Sequence, residues 1–141
     1  METTKAPKIT VESTIKRNID VVWNLWTDPK HITQWCNASN EWHTPRAENN
    51  VIKGGEFLTR MESKDGKIGF DFKGIYDEVR KNEFLSYTTE DGRKVQITFT
   101  SNGSETFVSE TFEAESVNSL EMQKGGWQAI LDNFNKYAEA N

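Results

Sequence analysis

The sequence predicts an α+β fold in which a curved antiparallel sheet of six to seven strands wraps around a long C-terminal helix, with two short helices after the first strand. Two observations lead to this expectation. Short segments that alternate apolar and polar residues are separated by turn signals, which is typical of an antiparallel meander. The end of the chain instead repeats its apolar residues at a helical period. A wide twisted sheet curls and needs a cover for its apolar face, so the space beneath the helix is either packed core or a cavity.

Length and composition indicate a single domain without a nucleic-acid partner. The chain has 141 residues, a net charge of -5 and one cysteine. We therefore expect one domain over residues 1–141 with an ordered core at about 8–138. Spread acidic charge predicts no nucleic-acid binding. The polar start of the chain and the absence of an apolar run of about 20 residues predict no signal peptide and no membrane insertion, and hence a cytoplasmic location.

The first elements are predicted from two changes of period. Residues 9–15 alternate apolar and polar side chains, which indicates a half-buried strand. Residues 19–26 follow with apolar side chains at helical spacing, and Asn18 is a plausible N-cap. Asp28 and Pro29 then restart the chain as the cap and first position of a second short helix. Two short helices are expected, and one kinked helix is the alternative.

The middle of the chain predicts the remaining strands. Residues 36–50 are polar and rich in turn residues, with a short, weak strand at residues 42–48. Alternating segments then recur between turns up to residue 113. One face of these strands carries a set of large side chains that would form the floor beneath the helix. The set consists of Phe57, Met61, Phe70, Phe72, Tyr76 and Tyr87.

Glu110 shares one strand face with two apolar neighbours, Val108 and Phe112, while Phe107 lies on the opposite face. An inward carboxylate would be costly unless it is paired, so it would orient a ligand or act as a general base. The alternative is a β-bulge or a different register that turns the side chain outward. The sequence leaves both possibilities open.

The C-terminal segment from Asn118 to Ala140 reads as one long amphipathic helix. Asn118 is the expected N-cap, and Glu121 would complete a capping box. Gly125 and Gly126 interrupt this helix, and each costs roughly 0.5–1 kcal/mol relative to alanine. Either the helix approaches a neighbour closely or kinks there, or the glycines leave space beneath the helix for another molecule.

Residues 31–43 contain the side chains that metal or nucleophile chemistry would need. His31, Cys36, Glu41 and His43 include thiol, imidazole and carboxylate groups, but their spacing matches no compact zinc motif. Cys36 as a nucleophile would need a base, which His43 could supply from the following loop. The simpler expectation is two surface histidines and a partly buried thiol, with no metal and no cofactor.

The order of motifs resembles that of a known superfamily. Residues 9–35, ITVESTIKRNIDVVWNLWTDPKHITQW, look like the opening of the SRPBCC, or START-like, helix-grip superfamily. The closest branch is the one named for the C-terminal domain of the ATPase activator of the large heat-shock chaperone. The matching positions are Val22-Trp23, Thr27-Asp28-Pro29, Trp35, Gly54-Gly55, Phe57, Gly74, Tyr76, Gly125-Gly126-Trp127 and Leu131.

The resemblance implies a helix-grip fold with a hydrophobic cavity for a small molecule or lipid. The leading functional hypothesis is therefore the binding of a small hydrophobic or amphipathic ligand, with no cofactor. The alternatives are a protein-interaction module that acts on a chaperone ATPase in the stress response, or a cyclase- or hydrolase-like enzyme. The expected ligand-binding residues are Phe57, Met61, Phe70, Phe72, Tyr76, Tyr87 and Glu110 below the ligand, with Trp127, Leu131 and Phe134 above it.

Overall fold

A computed structural model describes residues 7–141 and confirms the expected α+β fold. Seven antiparallel strands form one sheet in the order β1-β7-β6-β5-β4-β3-β2. The strands are β1 (Lys8–Ile15), β2 (Trp42–Asn49), β3 (Glu56–Ser63), β4 (Gly69–Arg80), β5 (Phe84–Thr89), β6 (Lys94–Asn102) and β7 (Glu105–Glu113). The helices are α1 (Ile19–Thr27), α2 (Pro29–Trp35) and α3 (Leu120–Ala140).

The two short helices connect opposite edges of the sheet. Strands β2 to β7 pair in chain order, whereas β1 pairs with β7, so β1 and β2 form the two edges. The chain between these edges is α1 and α2, which are two separate helices. Asn18 and Asp28 cap them as expected, accepting hydrogen bonds from the backbone N–H groups of Val21 and Lys30.

The long helix begins one residue later than the expected start. Its N-cap is Ser119, whose hydroxyl accepts a hydrogen bond from the Met122 N–H. The prediction of Asn118 as the cap was wrong, because the Asn118 side chain donates instead to the carboxylate of Glu115 in the preceding loop. Both residues are good capping types, so their identity alone did not decide between them.

The packed core lies beneath the C-terminal half of α3. The close backbone neighbours of this helix are β1, α1 and α2. Phe134 is fully buried, with its ring centroid 4.8 Å from the centroids of both Trp26 and Trp35. Edge-on aromatic pairs of this kind add to the free energy of burial. One end of α3 is therefore fixed firmly to the sheet and the short helices.

Gly74 on β4 allows a close aromatic contact inside the curved sheet. A Cβ atom at this position would lie 2.6 Å from the Phe57 ring and 2.8 Å from the Thr88 carbonyl oxygen. Any larger residue would displace Phe57 from the inner face. This steric requirement explains the glycine that precedes Tyr76 by two residues.

None of the helices in residues 7–141 combines the length and the apolar character that crossing a bilayer would require.

Replacing Phe134 by alanine should destabilise the fold strongly, because it leaves a cavity where three aromatic rings meet. We expect the free energy of unfolding to fall by about 3–5 kcal/mol, as measured by urea denaturation. Phe107→Ala provides a matched control, since Phe107 lies on the outer face and is 38% exposed. Its loss should be clearly smaller, and equal losses would contradict this assignment of the core.

Candidate ligand-binding cavity

A cavity of about 440 Å³ lies between the N-terminal half of α3 and the inner face of the sheet. This volume falls within the range of about 300–1,000 Å³ that is usual for small-molecule sites. Nine aromatic side chains contribute to its wall. They are Trp26, Trp35, Trp42, Phe57, Phe70, Phe72, Tyr76, Tyr87 and Trp127.

Eight of the ten side chains expected at the site line this cavity. They are Phe57, Met61, Phe70, Phe72, Tyr76, Tyr87, Glu110 and Trp127. Leu131 and Phe134 do not line it, contrary to the expected roof. Both are buried one to two turns further along α3, in the packed core. The cavity roof is instead formed from earlier positions of the helix, Met122, Gln123, Gly126, Trp127 and Ile130.

The aromatic floor is a connected set of rings. The Phe57 ring lies 4.7 Å from Tyr87 and 5.4 Å from Tyr76, measured between centroids. The Tyr76 hydroxyl donates a 2.6 Å hydrogen bond to Asn49 Oδ1, so this hydroxyl is already engaged. Its burial raises the pKa of Tyr76 to about 12. The floor is thus rigid and largely apolar.

Trp127 joins the helix to this floor. Its ring stacks on Phe112 with centroids 3.9 Å apart and planes inclined by 11°. It also meets Phe72 edge-on, with the centroids 6.2 Å apart. These two contacts hold the middle of α3 against the sheet while the turn before it remains above the cavity.

The paired glycines of α3 are not explained by close packing. A Cβ atom at Gly125 or Gly126 would meet no neighbouring atom of the part of the chain that the structure describes within 4 Å. The expectation of a close approach to a neighbouring element is therefore wrong for both positions. Gly126 lines the cavity, whereas Gly125 is exposed and does not. The absent side chain at Gly126 leaves part of the cavity volume open.

Glu110 places a carboxyl group inside the cavity. β7 runs without a bulge between β1 and β6, where Glu110 lies opposite Val11 and Ile97. The side chain therefore points inward, and the residue is only 7% exposed. Within residues 7–141, its carboxyl has no hydrogen-bond or ion-pair partner, and burial raises its pKa to about 8. A carboxyl in this state can accept or donate a hydrogen bond.

Two further polar groups face the same space without a side-chain hydrogen bond among the described residues, the Tyr87 hydroxyl and the Cys36 thiol. Burial, reinforced by the nearby Glu110 carboxyl, raises the pKa of the Cys36 thiol to about 12 and that of Tyr87 well above its usual value. An activated nucleophile needs a lowered thiol pKa. The arrangement therefore does not support Cys36 as a nucleophile.

The two histidines are held in separate contacts. His31 Nδ1 lies 2.7 Å from the Tyr137 hydroxyl, and His43 Nε2 lies 3.5 Å from a Glu62 carboxylate oxygen. Among residues 7–141, no three His, Cys, Asp or Glu side chains are arranged to hold a metal ion. The His, Cys and Glu side chains of residues 31–43 are therefore not brought together as metal ligands by the fold.

The cavity reaches the surface beside the N-terminal turn of α3. Phe70 on β4 and Met122 on α3 both line it, and they are 46% and 66% exposed. The alternation of residues 68–76 would place Ile68 on the same face as Phe70, but Ile68 lies before β4 and is exposed. Phe70 therefore lies at the rim, where it contacts the Trp42 ring with centroids 6.1 Å apart.

The lining residues that the sequence did not identify come from the two short helices, the loops, β2 and the N-terminal half of α3, with one residue each from β3 and β6. Trp26 and Trp35 lie on α1 and α2, and Asn49 ends β2. The helical periodicity placed both tryptophans on buried faces, but it could not show that those faces border the cavity. Ile130 lies on the apolar side of α3, next to Leu131, which was the residue predicted for the roof.

The raised pKa of Glu110 should make stability depend on pH. The unfolded chain ionises this carboxyl near its ordinary pKa of about 4.3, but the folded protein does so only near 8. The contribution of Glu110 to stability thus falls as the pH rises from about 5 to 8, by roughly 3–4 kcal/mol. Urea unfolding at pH 5, 6.5 and 8 measures this pH dependence of the free energy of unfolding. Glu110→Gln should remove the part that Glu110 causes. Parallel pH curves for the two proteins would contradict it.

Comparisons with known proteins give a consistent family. An AHSA1-like protein from Aeromonas hydrophila is 42% identical, with a TM-score of 0.89 over 95% of this chain and 93% of its own. A protein from Cytophaga hutchinsonii is 50% identical, with a TM-score of 0.82 over the same shares. A Chromobacterium violaceum protein shares only the fold, at 17% identity and a TM-score of 0.85 over 96% and 99% of the two chains. A search of curated proteins found no significant match.

The family follows from the extent of the match along the chain. Residues 16–139 match the family described as activator of Hsp90 ATPase homolog 1-like protein. This range includes α1, the strands β2 to β7 and nearly all of α3, so it contains every element that surrounds the cavity. The chain therefore belongs to the AHSA1-like family of helix-grip proteins.

Proposed function

We propose that this protein binds a small hydrophobic or amphipathic molecule in the cavity between the sheet and α3. The main support is a cavity of about 440 Å³ in a domain that has a well-packed core elsewhere. Each 100 Å² of apolar ligand surface removed from water would contribute about 2.5 kcal/mol. The aromatic walls supply this burial, and a lipid-like chain or an aromatic metabolite fits such a lining.

The polar groups of the cavity would orient the ligand. Glu110 and the Tyr87 hydroxyl face the space without a side-chain partner in residues 7–141, and an unpartnered buried polar group costs roughly 1–3 kcal/mol. A ligand that bonds to either group offsets that cost. A mostly apolar pocket with a few polar groups is the usual composition of a small-molecule site. We assign ligand-binding roles to the eight predicted residues that line the cavity.

A second candidate function rests on the family description, which names an activator of the Hsp90 ATPase. In this case the domain would act on a chaperone through its surface, as part of a stress response. A solid core would have favoured this role, whereas the cavity favours ligand binding. The ATPase rate of the cognate chaperone, measured with and without this protein, tests the alternative. An unchanged rate would exclude it.

The paired glycines allow a matched test of the cavity. Gly126→Leu would fill the cavity from above, whereas Gly125→Leu would place the same side chain on the exposed side of α3. Both changes remove a helix glycine and should raise or maintain stability. We expect Gly126→Leu to weaken binding of the neutral fluorescent probe N-phenyl-1-naphthylamine by at least tenfold, and Gly125→Leu to leave it unchanged.

Fluorescence titration of the three proteins measures this difference directly. Equal affinities for the two variants would show that the probe does not enter the space beneath Gly126. No binding by the wild-type protein would count against the proposed function itself. Phe72→Ala offers an independent check, because it removes a floor side chain and should also change probe affinity.

A further inference from the structure

We propose that the cavity is selective for amphipathic amines, with the ammonium group of the ligand paired to Glu110 and its apolar part against the aromatic walls. This inference rests on the proposed function and specifies the chemical class of the ligand. Three features of the cavity support it. Glu110 has no side-chain partner in residues 7–141, the basic side chains of the lining are bonded to other groups, and the walls are aromatic.

The charge distribution inside the cavity favours a cation. Two basic side chains, Arg93 and His43, line it, and both are engaged elsewhere. Arg93 donates to Asp91 Oδ2 at 2.9 Å and lies 3.5 Å from the Glu113 carbonyl oxygen, while His43 faces Glu62. Among the described residues, no cation therefore balances an ionised Glu110. A ligand ammonium group would supply that missing charge.

The other acidic groups of the lining already have partners. Glu48 pairs with Arg46, and the Glu115 carboxylate accepts hydrogen bonds from the backbone N–H groups of Val117 and Asn118. Glu110 is thus the carboxyl that remains available, and it is also the most enclosed of the three. An ammonium group entering the cavity would meet this carboxyl rather than the paired ones.

The aromatic walls add to the preference for a cation. Electron-rich ring faces attract ammonium groups, and the attraction is stronger when water is excluded. Glu110 and Tyr87 line the same cavity, so a ligand group paired with the carboxyl would lie in a space with aromatic walls. A carboxyl that opens into a cavity with aromatic walls is a suitable environment for an amine.

The same arrangement disfavours an anionic head group. A carboxylate ligand placed at this depth would lie beside Glu110, and neither Arg93 nor His43 is free to neutralise it. Because Glu110 is protonated in the empty cavity at pH 7, it offers such a ligand a hydrogen bond but no positive charge, and burying an anion without a counter-ion is costly. A fatty acid could bind only with its head group at the rim.

The test uses three probes with the same chain, octylamine, 1-octanol and octanoate, in isothermal titration calorimetry. At pH 7 we expect octylamine to bind at least tenfold more tightly than octanoate. Its binding should release close to one proton, since Glu110 is protonated in the empty cavity and ionised in the complex. Measurements in two buffers with different ionisation enthalpies give this number.

The affinity for octylamine should also rise about fiftyfold between pH 6 and 8, as Glu110 ionises in the free protein. Tyr76, Tyr87 and Cys36 stay protonated over this range, and Arg93, His43, Glu48 and Glu115 are the other charged or titratable side chains that line the cavity. Glu110→Gln keeps the size of the side chain but should abolish both the proton release and this pH dependence. Glu90→Gln, at an exposed carboxylate, is the matched control and should change neither. Comparison of the two variants separates Glu110 from His43, which also lines the cavity.

Each other outcome overturns the amine proposal in a distinguishable way. Equal binding of octanol and octylamine without proton release would show a cavity that selects only for apolar surface. Tighter binding of octanoate would reverse the assigned charge preference. Binding of N-phenyl-1-naphthylamine without binding of octylamine would leave the cavity function standing and remove the amine. The proton count on the wild-type protein keeps the test valid even if Glu110→Gln folds poorly.

Discussion

The attachment of α3 by one end is the constraint on which the rest of the structure depends. Its C-terminal half is buried against β1 and the two short helices through Leu131, Phe134 and Ala138. Its N-terminal half extends over the sheet, where Trp127 supports it by stacking on Phe112. The helix therefore covers the apolar face without filling the space below it. One helix therefore covers both the core and the cavity. The inward positions of its C-terminal half carry buried side chains, whereas Gly126 in its N-terminal half has no side chain to fill the space below.

This arrangement places a costly group where a ligand can reach it. A carboxyl without a partner reduces stability, and the reduction grows as the carboxyl ionises. A helix with two glycines also gives up some intrinsic stability. Neither feature improves packing, since the glycines have open space around them and Glu110 has no bonding partner in residues 7–141. Both features become useful if the cavity is occupied, because a ligand fills the space and bonds to the carboxyl.

Much of the fold followed from sequence because its signals are local. Period-two alternation identified the strands, and the side chains of Asn18 and Asp28 identified the starts of two helices. The floor of the cavity was also predictable, since Phe57, Phe72, Tyr76 and Tyr87 share the inner face by alternation alone. The roof was less predictable. A helical stripe gives the direction of a side chain but not the distance to the opposite surface, so Leu131 and Phe134 could not be separated from Trp127. The inward direction of Glu110 needed the register of β7 with both neighbours.

The most direct test of the central claim is native mass spectrometry of the protein, freshly purified and after incubation with N-phenyl-1-naphthylamine, with the denatured chain as reference. We expect additional mass in at least one of the two samples, which disappears on denaturation and is absent from Gly126→Leu under the same conditions. The bare chain mass in both samples would contradict a binding cavity. Retention of the added mass in Gly126→Leu would show that the molecule binds elsewhere on the protein.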